Sequence, residues 1–377
     1  GFSAMWYFIG VATGYLIFIP FAVRLHRKHG GKYYTLADYF FDDWGKLTGR
    51  CAGTINVFIM LGWLLLNLIA SSKVLSFFTG LSFEVATLIV AVFVLLYLLL
   101  GGFKAVVTTD VLQYGAIVII FFVFTFVLLQ GVTIPSADWN LWEAGAKNII
   151  SFFLLGILIP FSAPDLWQRV YAVKNLKVLR QSIFYSVIVY IAVAFLLALI
   201  GLAIKTTFPS VDPDIALIHG FVQLLPPGLL GLAVVIFFAA FMSSIDTYAY
   251  TAASSFVQDF FKGLSKKGTV RAIKWALLAV VALGSIVAVL LQDLIIGGFL
   301  FASYAMILAI PVLATWIKPT IHRTTLNVSL LLSLVVLTVL VIQGLVAGTI
   351  EPTILLKAIG LSLLGLVLGA IASKYKS

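Results

Sequence analysis

Apolar stretches of about 20 residues recur along the whole chain and are separated by shorter polar segments. At a rise of about 1.5 Å per residue, each stretch is long enough for a helix to cross a hydrocarbon core about 30 Å thick. The pattern predicts an all-α, polytopic membrane protein with one transmembrane domain over residues 1–377. About eleven spans are predicted, near residues 2–24, 52–79, 83–101, 107–131, 148–164, 182–204, 227–250, 271–291, 296–317, 325–347 and 352–373.

The composition excludes a water-soluble globular protein. Hydrophobic residues make up 62% of the chain and charged residues only 10%, whereas soluble domains average roughly 45–50% apolar and about 25% charged residues. The single cysteine, Cys51, excludes a disulfide framework and a cysteine-built metal site. No cluster of histidine and aspartate and no nucleophile–base pair lies near a predicted membrane face, so an enzyme is not expected.

The basic residues concentrate in alternate loops, and the predicted eleven spans reproduce this asymmetry. By the positive-inside rule, the basic loops face the cytoplasm of a plasma membrane, which in a bacterium is the inner membrane. The chain then starts outside and ends in the cytoplasm. The net charge of +10 reflects this orientation and contact with anionic lipid, so nucleic-acid binding is not expected. The basic side holds Arg24, Arg27, Lys28, Lys32, Lys46, Arg50, Lys104, Arg169, Lys174, Lys177, Arg180, Lys262, Lys266, Lys267, Arg271, Lys274, Lys318, Arg323, Lys374 and Lys376, against Lys73, Lys147, Lys205 and Lys357 on the other.

Two aspartates lie inside predicted spans, where an ionisable group is costly and therefore a functional candidate. Asp110 lies about one turn into the fourth span, and Asp246 lies deep in the seventh. Hydroxyl, carbonyl and carboxylate oxygens suit an alkali cation or a proton relay and suit transition metals poorly. A structural role stays open, because serines often bond the carbonyl four residues back and an aspartate at a span end can reach water. The residues on or near one helical face beside Asp246 are Ala240, Ser243, Ser244 and Thr247.

The fifth predicted span contains Gly156, Pro160 and Pro164. Prolines deny amide donors and disfavour a continuous helix. A span broken near mid-depth would free carbonyl groups for an ion or a solute, as transporter sites require. A simple proline kink that ends the helix near the cytoplasm is an equal alternative.

Four motifs in the chain resemble those of the sodium/solute symporter family. Gly101–Gln113 is similar to the family signature Gly-Gly-x-x-Ala-Val-x-x-Thr-Asp-x-x-Gln, and Met242–Asp246 to its Met-Ser-Ser/Thr block, after which Asp259 follows as in the family. Gln168–Asn175 resembles its Gln-Arg-x-x-Ala-Ala-Lys stretch, and Thr35–Phe40 its Thr-Leu-Pro-Asp-Tyr loop. The motifs occur in family order and cover nearly the whole chain.

The resemblance implies an inverted five-helix-repeat fold with alternating access around a mid-membrane site. Residues 1–131 would be the remainder of the first repeat, 148–317 the second repeat, and 325–377 two C-terminal helices. Aligned in this way, the family's first core helix has no counterpart in the chain, so the first repeat is expected to be incomplete.

The resemblance also implies sodium as the coupling ion of a symporter for a small organic solute. The implied assignments are Ala240, Ser243 and Ser244 for sodium, Asp110, Asp246 and Thr247 for a second ion or an ion exit path, and Gly156, Pro160 and Pro164 for the solute region. No metal other than sodium is expected.

The identity of the solute is not fixed by this resemblance. Sugar-transporting members carry an asparagine and an aromatic gate where this chain has Gly156 and Ile159, and proline-transporting members carry Trp and Tyr where it has Gly156 and Pro160. Pro164 does match the proline-transporting members. A small, weakly polar organic solute or a carboxylate is expected.

Two other functions remain open from the sequence. One is a proton-coupled carrier in which Asp246 and Asp110 form the relay. The other is the membrane input domain of a sensor protein, which would need a soluble signalling region after the last span. The sequence gives no indication of oligomeric state, and the expected partners are the solute, sodium ions and membrane lipid.

Overall fold

The computed structural model describes residues 2–261 and 263–375, and within helices it does not describe the side chains of residues 101–109, 111, 112 and 227. Helices make up 86% of the molecule, and no strand occurs in the described residues, which confirms the all-α prediction. Within the signature stretch Gly101–Gln113, the described side chains are those of Asp110 and Gln113. The side chains of Lys104, Lys262 and Lys376 from the count of basic residues also lie outside the description.

Thirteen α-helices follow one another in the described ranges. They are α1 (Met5–His29), α2 (Leu36–Trp44), α3 (Lys46–Thr79), α4 (Phe83–Gly131), α5 (Gly145–Ser162), α6 (Pro164–Ala172), α7 (Leu176–Thr207), α8 (Ala216–Leu224), α9 (Pro227–Phe260), α10 (Lys266–Leu291), α11 (Leu294–Ile317), α12 (Arg323–Ala347) and α13 (Ile354–Lys374). Short 3-10 helices at Phe2–Ala4 and Ser136–Trp139 precede α1 and α5.

Eleven stretches within the described helices are long and apolar enough to span a membrane, as predicted. Two of them, Phe83–Leu100 and Gln113–Gly131, lie within the single helix α4. The short loop predicted between residues 101 and 107 is therefore helical. No proline occurs from Phe83 to Gly131, so nothing in this stretch removes a backbone donor and stops the helix.

The fifth span is not broken near mid-depth; its helix ends at Ser162, close to the end of the predicted span, which agrees with the alternative of a proline that ends the helix. Helix α5 continues through Gly156 and Pro160, and Ala163 takes an extended conformation (φ −91°, ψ 98°) before Pro164 opens α6. Proline fits the first position of a helix because the amide there needs no partner within the helix. The indole nitrogen of Trp167 in α6 donates to the carbonyl oxygen of Pro160 at 3.3 Å. The chain is thus broken between α5 and α6, beyond Gly156 rather than at it.

Helices α1 and α5 pack with their backbones in contact. A Cβ added to Gly156 would lie 2.5 Å from the carbonyl oxygen of Tyr7, and one added to Gly14 would lie 2.5 Å from that of Ile157. Small residues at a helix crossing permit this approach, and they are common in membrane proteins for that reason. Gly156 is therefore fixed against α1.

Side-chain contacts define the two ends of the helix bundle. At one end, the Trp44 indole donates to the carbonyl oxygen of Ile321, and Thr48 in α3 donates to Asn327 in α12. The C-terminal end of α1 and the N-terminal end of α7, which carry several arginines and lysines, also lie here. We call this end of the bundle the basic end. At the opposite end, Lys73 of α3 forms a 2.5 Å ion pair with Asp214.

Candidate ion and solute site

Helix α9 carries the predicted ion ligands in its middle portion. Ser243 and Ser244 are partly buried, whereas Asp246 and Thr247 are buried. Helix α9 packs between α3, α4 and α10, so polar groups on these faces meet other helices rather than lipid. A polar group in such a position must find a partner inside the protein, because hydrocarbon offers none.

Asp110 and Ser243 meet across α4 and α9. The hydroxyl of Ser243 donates to Oδ1 of Asp110 at 2.6 Å, and the second carboxylate oxygen, Oδ2, lies 3.7 Å from Nη2 of Arg169 in α6. The structure thus brings together two residues that the sequence predicted for ion handling. It adds Arg169, which was noted in a motif but not assigned to the site.

Ser244 forms a hydrogen bond within its own helix, as expected if the serine has a structural role. Its hydroxyl donates to the carbonyl oxygen of Ala240, one turn earlier, at 3.2 Å. A serine hydroxyl that donates its proton keeps acceptor lone pairs. The bond therefore orients the oxygen without consuming its capacity to accept.

Asp246 is the most buried acid of the group, with only 1% of its surface exposed. Its Oδ1 atom has no hydrogen-bond partner among the described residues. The hydroxyl of Tyr97 interacts with the carboxylate and lies 3.3 Å from the carbonyl oxygen of Met242. Thr247 also lies close to the Asp246 carboxylate. A buried carboxylate oxygen without a partner is costly, and a bound cation or a proton would offset this cost.

The residues predicted for the solute lie along α5 and the start of α6. Gly156 contacts α1, Pro160 is buried within α5, and Pro164 is buried at the first position of α6. Asp165 follows Pro164, in the first turn of α6.

A cavity of about 900 Å³ lies between α1, α6, α7 and α9. Its wall includes Arg169, which therefore connects the cavity to Asp110 on α4. The sequence analysis did not predict this cavity, although the motif Gln168-Arg169 forms part of it. Its polar wall contains Tyr15, Gln168, Arg169, Ser182, Ser186, Tyr190, Tyr250, Ser254 and Gln258.

Two solved transporters with this fold resemble the chain. A substrate-bound, outward-open Na⁺-coupled sialic acid symporter superposes with a TM-score of 0.79 at 16% sequence identity, covering 99% of this chain and 85% of that one. Mhp1, a nucleobase-cation-symport-1 family transporter in a closed conformation, gives a TM-score of 0.65 at 13% identity, with coverage of 99% and 86%. Both have the LeuT fold, which is the inverted-repeat architecture that the sequence predicted.

This chain aligns with only part of the length of the curated relatives described here. Sodium/proline symporter 2 of Staphylococcus saprophyticus is 28% identical over 286 residues, which is 70% of this chain and 55% of that protein. The uncharacterized symporter YwcA of Bacillus subtilis is 24% identical over 340 residues, or 81% of this chain and 65% of that protein. The chain thus spans between about half and two thirds of the length of these relatives.

The family resemblance found in the motifs is confirmed over most of the chain. The profile of the sodium:solute symporter family matches residues 1–320. This family consists of transporters and not of enzymes, as the sequence predicted. The protein is a multi-pass membrane protein, and it belongs to the sodium:solute symporter family.

Proposed function

We propose that the protein couples the entry of sodium ions to the transport of a small organic solute by alternating access. The observation that carries this proposal is the contact between Ser243 and Asp110, with Asp246 buried beside them. The contact joins α9 to α4, and a cation held there would have ligands from both helices.

Two adjacent ion positions account for the polar residues of α9. Sodium is held by the carbonyl oxygen of Ala240 and the hydroxyls of Ser243 and Ser244. A second ion, or the same ion on its way out, is held by Asp110, Asp246 and Thr247. Oxygen ligands of this kind are hard donors, which suit an alkali cation. A cation near two buried carboxylates also reduces the cost of keeping both charged.

Coupling follows from ligands that belong to different helices. An ion that binds more tightly when α4 and α9 are close favours the conformations in which they are close. The same free energy raises the affinity for any solute that prefers those conformations, because linkage between two binding sites is reciprocal. The site therefore supplies a physical reason for ion entry to accompany solute transport.

The solute is proposed to be small and weakly polar, or a carboxylate. The cavity of about 900 Å³ is large enough for such a molecule, since small-molecule sites are usually about 300–1,000 Å³. Gly156, Pro160 and Pro164 are proposed to line the solute path on the side formed by α5 and α6, which are separated at Ala163. Because one relative is named as a sodium/proline symporter, proline is the first solute to test.

The basic end is proposed to face the cytoplasm, so the C-terminus lies in the cytoplasm and the opposite end faces outside. This orientation rests on the positive-inside rule. It places the ion pair of Lys73 and Asp214 on the outer side.

A proton-coupled carrier is the second candidate, and the unpaired Oδ1 of Asp246 favours it. A carboxylate oxygen without a hydrogen-bond partner can be satisfied by a proton as well as by sodium. In this version Asp110 and Asp246 pass the proton, and the two serines orient them.

Uptake into proteoliposomes separates the two candidates. Radiolabelled proline and a panel of short carboxylates are supplied at fixed pH with a sodium gradient, and sodium is then replaced by choline. Direct binding of radioactive sodium to the purified protein is measured in parallel, which requires no knowledge of the solute. Sodium symport predicts saturable sodium binding and uptake that stops in choline. Uptake that survives in choline and collapses with a protonophore would support the proton carrier and contradict sodium coupling.

A further inference from the structure

A cleft with four cationic side chains lies between α1 and α7 at the basic end. Its volume is about 650 Å³. The cationic residues come from the last two turns of α1 and from the beginning of α7, and no acidic residue lines the cleft. The lining residues are Ile19, Pro20, Val23, Arg24, Arg27, Lys28 and Arg180.

Three of the four cations have no acidic partner among the residues that the structure describes. Lys28 pairs with Asp43, which lines an adjoining cavity, at 2.8 Å. Arg24, Arg27 and Arg180 are exposed and form no ion pair with any described residue. Three guanidinium groups around one cleft repel one another, and a multivalent or closely held anion would relieve this repulsion. Guanidinium groups also match the geometry of phosphate oxygens.

Below the arginines, both helices present an exposed apolar stripe. On α1 the residues one and two turns before Arg24 are Pro20, Ile17 and Leu16, and all three are exposed. On α7 the residues one and two turns after Arg180 are Phe184 and Ile188, which are also exposed. Residues spaced by four, seven and eight lie on one helical face. The cationic cleft therefore continues into two apolar tracks that run toward the centre of the membrane.

From this combination we infer that the cleft binds an anionic phospholipid, with the phosphate held by Arg24, Arg27 and Arg180 and the acyl chains lying along α1 and α7. A free phosphate ion would use the arginines but would leave the apolar tracks without a role. Basic pockets between membrane helices on the cytoplasmic side are known to hold lipid headgroups of this charge. The bound lipid joins α1, which packs on α5 through glycines, to α7. The inference does not depend on the coupling ion or on the solute.

Native mass spectrometry of the purified protein with defined lipids tests the inference. The protein is mixed with phosphatidylglycerol or with phosphatidylcholine of the same acyl chains. The test variant carries Arg24→Gln, Arg27→Gln and Arg180→Gln. The matched control carries Lys266→Gln, Lys267→Gln and Arg271→Gln, which removes the same charge from the exposed start of α10 at the same end. Gel filtration establishes that each variant is folded.

The expected result is selective retention of phosphatidylglycerol by the wild-type protein and by the control. The test variant should lose at least about tenfold in affinity, because each basic residue near a lipid surface contributes appreciably to attraction of an anionic headgroup. Soluble glycerol phosphate and inorganic phosphate at millimolar concentration should fail to displace the lipid.

Three results would overturn the inference. Equal losses in the test and control variants would show a general attraction of the basic end for anions. Complete displacement of lipid by inorganic phosphate would show a free-anion site. If the test variant does not fold, the test rests on lipid retention by the wild-type protein. Equal retention of phosphatidylglycerol and phosphatidylcholine would exclude a site for an anionic headgroup.

Discussion

Asp246 and Asp259 lie on the same helix and are buried almost equally, with 1% and 2% of their surfaces exposed. Their surroundings differ. Asp259 lies at the basic end, where its Oδ1 accepts a 2.6 Å hydrogen bond from the hydroxyl of Thr35. Asp246 lies near the Asp110 carboxylate, and its own Oδ1 has no partner in the described part of the chain. One carboxylate joins two helices through the Thr35 hydroxyl, and the other lies near a second carboxylate.

The partner of Asp259 explains its structural role. Thr35 is the N-cap of α2, and its hydroxyl accepts from the backbone nitrogen of Asp38 while it donates to Asp259. A single hydroxyl thus caps α2 and attaches it to the end of α9. The comparison teaches that burial of an acid in a membrane helix does not by itself mark a functional site. The kind of group that the fold places beside the acid, here a hydroxyl from another helix or a second carboxylate, is the more informative observation.

The largest expected effect is the loss of stability on Thr35→Val. The substitution removes a hydrogen bond to a charged group, worth about 1.5–3 kcal/mol, and an N-cap worth about 1 kcal/mol. We expect a loss of about 3 kcal/mol, measured as a lower unfolding midpoint by tryptophan fluorescence in detergent. Thr54→Val is the matched control, since the Thr54 hydroxyl bonds only within its own helix, to Arg50. Equal shifts in both variants would remove the structural role of the Thr35–Asp259 bond.

Asp246→Asn should have the opposite profile. The amide removes a buried charge that lies near the Asp110 carboxylate, so the unfolding midpoint should stay the same or rise. Affinity for radioactive sodium should fall about tenfold, which corresponds to about 1.4 kcal/mol. Asp259→Asn serves as the matched control and should lower the midpoint. A midpoint for Asp246→Asn as low as that of Asp259→Asn would contradict the distinction between the two acids.

The sequence was sufficient to predict the spans and the polar face of α9. Lipid penalises polar groups so strongly that eleven apolar stretches could be read directly, and Asp246 stood out for the same reason. The contact of Asp110 with Arg169 was not predictable, because it depends on how α4, α6 and α9 are placed in space. The packing of Gly156 on α1 was missed for a related reason: a glycine beside prolines reads equally as a break or as a close crossing.

Smaller effects are expected at the serines. Ser243→Ala and Ser244→Ala each remove one proposed sodium ligand, worth about 1 kcal/mol, and should raise the sodium concentration for half-maximal binding about fivefold. Ser285→Ala is the control, because the Ser285 hydroxyl bonds to the carbonyl oxygen of Val281 within α10. Sodium dependence that is unchanged in both variants would exclude these serines from the site and leave Asp246 without its proposed neighbours.

The smallest effect should follow from Arg169→Gln. Arg169 is 59% exposed and lies 3.7 Å from Asp110, and exposed ion pairs contribute about 0–1 kcal/mol. Sodium affinity should therefore change by less than about fivefold, and the change should shrink as ionic strength rises because salt screens exposed charges. Arg271→Gln, near the exposed start of α10 and without an ion pair to any described residue, is the control for lost charge. A rise of tenfold or more in Arg169→Gln alone would mean that Arg169 neutralises Asp110 in the wild-type protein. Asp110 would then have a structural role in the wild-type protein, as Asp259 does, and the ion would have to be held by Asp246 and the serines without it.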